Sequence, residues 1–199
     1  MNLTPAQLST LKTNIAANAA TVPWNGSTLA INQLPNNDDA HDAIAKWYNL
    51  DAAGPWVVWR DLPMATVQSL ITWASMTPLD AVPTTPALTV QVWQARSQSA
   101  QGKQMNLLNM LVERTTAPMK QTAYRAGLQD CLTNLPCGAS GALIAANWTG
   151  VRDAAKFNAT NAEKLFSTGT GSSGTPADLS ATAEGQLTGT EVGNARNLP

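Results

Sequence analysis

The sequence predicts a mainly α-helical protein: a helical bundle with one long central helix, a short β element and an extended C-terminal arm. Three observations predict it. Thr85–Arg114 opens on a Thr-Pro helix start and then meets no breaker except the tolerable Gly102. Capping signatures at Thr4-Pro5-Ala6-Gln7, at Asn37-Asp38-Asp39 and at Thr160-Asn161-Ala162-Glu163 each precede apolar residues at helical spacing. From Gly169 onward the composition turns to Gly, Ser, Thr and Pro with widely spaced apolar residues. The expected division is therefore a helical body over 1–168 and an arm over 169–199.

The first capping box leads into a helix carrying Leu8, Leu11 and Ile15, which Pro23 ends at the latest. Residues 22–36 hold Pro23, Gly26 and Pro35 and read as a loop anchored by Trp24. The second helix carries Ala43, Ile44, Trp47 and Tyr48, with Asp38, Asp39 and Asp42 placed for the helix dipole. Trp56-Val57-Val58-Trp59-Arg60 is the best strand candidate. Pro63 opens a third helix with Val67, Leu70, Ile71 and Ala74 on its buried face and Trp73 beside them. Three prolines in 77–86 make a rigid connector before the long helix. That helix has apolar ends and a polar midsection, Gln94 to Gln104, which suits a neighbouring subunit better than one core. Further helices are expected over Met119–Asn134, after Ser140, and from the Thr160 cap through Leu165 and Phe166. The arm cannot fold alone, so Leu179, Leu187, Val192 and Leu198 are expected to dock on another surface.

The chain has 199 residues, enough for one domain or one domain with an appendage, and 44% of them are hydrophobic. Only 13% are charged, so the surface is built from Asn, Gln, Ser, Thr and Ala, which are cheap to desolvate at a protein interface. The net charge of −1 provides no overall field for nucleic acid. It is unevenly spread, with net −3 over residues 1–90, net +4 over 91–168 and net −2 beyond. No signal peptide and no membrane span are expected. Cys131 and Cys137 are read as thiols rather than a disulfide.

Motifs that carry chemistry fail on context. Gly169-Thr170-Gly171-Ser172-Ser173-Gly174 fits G-x-G-x-x-G, but a helix precedes it and Thr175-Pro176 follows, where a dinucleotide site needs strand then helix. His41 is the only histidine, too few for a zinc site, and the neighbouring aspartates are read as helix-start residues. No catalytic, metal or cofactor residue is assigned. The seven tryptophans are read as core and interface anchors.

Several blocks resemble structural-module proteins of tailed bacteriophages. They are Leu3–Ile15 (LTPAQLSTLKTNI), Val57–Arg60 (VVWR), Ile71–Asp80 (ITWASMTPLD), Trp93–Leu111 (WQARSQSAQGKQMNLLNML), Arg125–Ala142 (RAGLQDCLTNLPCGASGA) and Asn161–Gly171 (NAEKLFSTGTG). The central and C-terminal blocks are the most specific. The resemblance implies a virion protein of the head–tail connector (adaptor) type, found in the neck and, during assembly, in the host cytoplasm. It implies a ring of about twelve copies under the portal. The partners would then be the chain itself, the portal protein, a tail or nozzle protein, and genomic DNA passing through the lumen without sequence readout. The arm would insert into the portal. Trp59, Arg60, Trp93, Arg96, Gln101 and Gln104 are the candidates for subunit contacts. Two alternatives stand beside it: a minor tail or head-completion protein, and a non-virion phage enzyme or nucleic-acid-binding factor.

Overall fold

Helices and short strands alternate along the chain in the computed structural model, which describes residues 1–73, 90–112, 114–133 and 141–199. Some side chains of 90–104, and those of 141–145, lie outside the described set. The helices are α1 (Pro5–Ala17), α2 (Asp38–Tyr48), α3 (Met64–Leu70), α4 (Val90–Leu111), α5 (Thr122–Thr133), α6 (Gly141–Ala154), α7 (Asn161–Phe166) and α8 (Gly189–Arg196). The strands are short: β1 (Thr21–Trp24), β2 (Ser27–Ala30), β3 (Val57–Trp59), β4 (Leu62–Pro63), β5 (Thr116–Ala117), β6 (Lys156–Asn158), β7 (Ser167–Thr168) and β8 (Asp178–Leu179). The protein is mainly α, as the helical spacing predicts.

The division differs from the one expected at residue 168. One unit joins Met1–Trp59 to Phe157–Pro199; the other is the intervening Arg60–Lys156. The second unit is thus an insertion in the first.

Unit 1 is built around α1, α2 and α8. Thr4 caps α1 through Gln7, whose side chain reaches back to the Thr4 amide at 2.9 Å. Asn37 caps α2 by accepting from the Ala40 amide at 2.9 Å. Leu11, Ile15, Ile31, Ile44, Tyr48, Leu187 and Val192 form one buried cluster. Each large apolar side chain buried there contributes roughly 1.5–3 kcal/mol. Residues 22–36 are not a loop. Val22 to Trp24 pair with Ser27 to Leu29 in an antiparallel hairpin, turned by Asn25 and Gly26, both at positive φ. Asn-Gly is the pair such a two-residue turn favours, because its backbone twist matches that of the strands.

The extended arm is the largest correction. Residues 169–199 fold into unit 1: Leu179, Leu187 and Val192 are buried and Leu198 is half-buried. β8 pairs antiparallel with β7, and Ala177 exchanges hydrogen bonds with β3, its amide donating to Val57 at 2.8 Å and its carbonyl accepting from Trp59 at 3.1 Å. Thr188 and Glu191 form a third reciprocal capping box, which starts α8. The Lys12 ammonium donates to the Leu198 carbonyl at 2.5 Å. The sparse leucines do dock, but on their own chain.

Unit 2 places α4 against α5 and α5 against α6. Leu107, Leu111, Leu128 and Leu132 are buried in it. β4 and β5 pair antiparallel across Leu62–Ala117, and the Lys120 amide donates to Asp61 at 3.0 Å. Asn147 of α6 is buried and accepts from the amide of Thr72, two residues past the end of α3, at 2.9 Å. Trp73, expected beside the buried face, is half exposed. The expected long helix is described over 22 residues; its start at Thr85 and the Pro-rich connector before it lie outside the described residues.

Candidate functional site

Two surfaces stand out, one on each unit. On unit 1, α2 and the β1–β2 hairpin enclose a groove of about 580 Å³. The tight Asn25-Gly26 turn brings Pro23 and Trp24 up on one side. Helical spacing places Ala43, Trp47 and Leu50 on the other. Trp47 stands edge-on to Tyr48, with ring centres 4.9 Å apart at 90°. Tyr48 is fixed in turn by donating to Asn14 at 2.5 Å, and burial raises its pKa above the ordinary phenol value. The groove wall is therefore backed by rigid core. Asp39 and Asp42 are exposed at its edge, with Lys46 beside them.

On unit 2, α4 turns two faces in opposite directions. Leu107 and Leu111 point into the unit, and the Met110 carbonyl accepts from the Tyr124 hydroxyl of α5 at 3.3 Å. Gln94, Gln98, Gln101, Met105 and Leu108 are exposed, and Val112 continues the line one residue past the helix. Its amide still donates to Leu108 at 2.8 Å, so the helical turn persists. At 3.6 residues per turn, Met105, Leu108 and Val112 span only about 60° of the circumference. They are 58%, 53% and 47% exposed, a stripe of large apolar side chains facing water.

The Gly-rich stretch is structural. Gly171, at φ +63°, lies flat against the Trp56 ring; a Cβ there would meet ring carbon at 2.3 Å. Its carbonyl accepts from the Val57 amide at 2.7 Å. The Trp56 indole donates to Ser167 at 2.8 Å, and the Lys164 ammonium stands 5.0 Å from the ring centre. Gly171 thus lets the backbone close on a tryptophan.

His41 faces α8. One ring nitrogen lies 2.7 Å from the Asn36 side-chain oxygen and the other 3.8 Å from Asp38. Gly189 and Gly193 let α8 approach: a Cβ at Gly193 would lie 3.0 Å from the imidazole. Burial, helped by Arg196, lowers the His41 pKa below 6.5, against the pull of Asp38 and Asp42. Arg196 donates to the Leu34 and Pro35 carbonyls at 2.8 and 2.7 Å. These groups lock α8 to α2, and among the described residues no cluster of three or more metal-ligating side chains occurs. No helix among them is long and apolar enough to cross a membrane.

Of the expected contact residues, Gln101 lies on the exposed face of α4. Trp59 is buried within its own chain, which removes it as a subunit contact, and Arg60 is half-buried with its amide donating to Ala155 at 3.0 Å. Trp93, Arg96 and Gln104 lie on α4 with side chains outside the described set. Leu179, Leu187 and Val192 are core residues of unit 1. Trp56 lines a recess of unit 1 with Asp51, Pro55 and Asn158. Sequence reasoning missed the groove and the stripe. The i, i+3, i+7 spacing of Met105, Leu108 and Val112 and the Asn25-Gly26 pair were the available signals. Comparison with family models, with curated proteins and with solved structures finds no match to this chain.

Proposed function

We propose that this chain is a structural component of a tailed-bacteriophage particle, of the head–tail connector type, that works by self-association into a ring rather than by catalysis. The observation that carries the reading is the exposed stripe on α4. It lies at the end of Trp93–Leu111, one of the blocks that most specifically resemble phage structural-module proteins. A large apolar stripe continued by exposed glutamines is a surface that a protein neighbour covers at little desolvation cost. A low-charge exterior supports the same reading.

The contact is placed on α4, not on the C-terminus. Residues 169–199 complete unit 1, so insertion of a free arm into a portal is not part of the mechanism. Portal and tail proteins remain the partners of the assembled ring, and DNA would pass through its lumen.

Quantitative mass spectrometry of purified particles tests the proposal. It predicts about a dozen copies per particle. Several hundred copies would place the chain in the shell or tail tube. Absence from particles would overturn the structural role in favour of an intracellular phage factor.

A further inference from the structure

We infer that the contact between copies is head-to-tail: the α4 stripe of one copy seats in the α2–hairpin groove of the next. This rests on the ring reading above and names the surfaces that would build it. Among the described residues, six large apolar side chains are exposed, and four of them fall on these two surfaces: Leu50 at the groove, and Met105, Leu108 and Val112 on the stripe. An amphipathic helix laid in an apolar groove inserts anchors at i, i+3 and i+7, which is the spacing present. The groove offers the aromatic and aliphatic walls such anchors need: Trp24, Trp47 and Leu50 over rigid core.

Charge selects a second copy as the occupant. Unit 1 holds four basic and eight acidic residues, net −4, and unit 2 holds eight basic and five acidic, net +3. The groove edge carries exposed Asp39, Asp42 and Lys46, net −1, and the stripe ends beside exposed Arg114. Stripe against stripe would bring like-charged units together; stripe in groove brings opposite ones. A contact between two different surfaces of one chain is heterologous, the kind that propagates into a ring when the rotation closes.

Site-directed photocrosslinking in the full chain tests this. Leu108 is replaced by p-benzoylphenylalanine, an exposed position where the fold tolerates change. Unlabelled and ¹⁵N-labelled copies are mixed before irradiation. The expected result is mixed-mass crosslinked peptides joining α4 to residues 21–25 or 39–50. Leu50→Glu or Asp39→Lys should lower their yield roughly tenfold, the effect of about 1.4 kcal/mol. Same-mass crosslinks only, crosslinks from α4 to α4 of another copy, or no crosslinks would each overturn the contact. The particle measurement separates the two claims. About a dozen copies without this crosslink retains the ring and removes its proposed interface. The crosslink without particle incorporation retains the contact and removes the virion role.

Discussion

The C-terminal segment and α4 look alike in one respect: each carries apolar residues with no obvious partner in the sequence. Residues 169–199 show sparse leucines in a Gly- and Ser-rich background, and α4 shows a run of glutamines ending in Met and Leu. They resolve in opposite ways. The C-terminal segment is consumed by its own unit, with Val192 and Ala195 wholly buried against α1 and α2. α4 keeps three large apolar side chains in water after the fold is complete. Sparse hydrophobicity is therefore no guide to partner binding. What matters is whether small residues let a segment approach its neighbours, as Gly189 and Gly193 let α8 approach His41 and Asp42.

The strongest way to break this contrast is truncation after Gln186. It removes Leu187, Val192 and Ala195 from the unit 1 core, a loss of several kcal/mol against a typical total of about 5–15. Unit 1 should lose cooperative unfolding, read by circular dichroism and limited proteolysis; an intact body after truncation would restore the arm. Gly171→Ala should cost about 2–4 kcal/mol in thermal or urea unfolding, from a clash with Trp56 and a positive φ. Thr188→Ala should cost about 1 kcal/mol through loss of the α8 cap.

A smaller effect follows from His41. Its folded pKa lies below the ordinary 6.5, so the unfolded chain takes up the proton first as pH falls. The stabilisation is fully present above about pH 6.5 and declines below it, a loss that His41→Gln should abolish in unfolding curves. The smallest effect sharpens the other side. Leu108→Ser should change folding stability by less than about 0.5 kcal/mol, while shifting mass measured by light scattering toward the single chain.

Local signals were legible. The Thr4 and Thr160 capping boxes, the Asn37 cap and the Val57–Trp59 strand stand where residue chemistry places them. Their hydrogen bonds close within a few residues, so sequence neighbours suffice to read them. The hairpin was equally local and was hidden by Pro23, which sits in a strand where it reads as a breaker. The insertion of unit 2 and the docking of α8 depend on partners more than a hundred residues away, such as Asn49 and Leu187, joined by two hydrogen bonds at 2.8 Å. No spacing in the sequence carries that information. The candidate site was half legible for the same reason: the stripe is a helical period, whereas the groove exists only once α2 and the hairpin meet.

Hydrogen exchange measured residue by residue tests the central claim most directly, that the C-terminus belongs to the body and leaves α4 as the surface for others. The amides of Val192 and Asn197, which donate to Thr188 and Gly193 at 3.1 and 3.0 Å, should exchange as slowly as that of Asn49 at the end of α2. Exchange of residues 187–199 at the rate of an unstructured chain, with α2 still protected, would contradict the account.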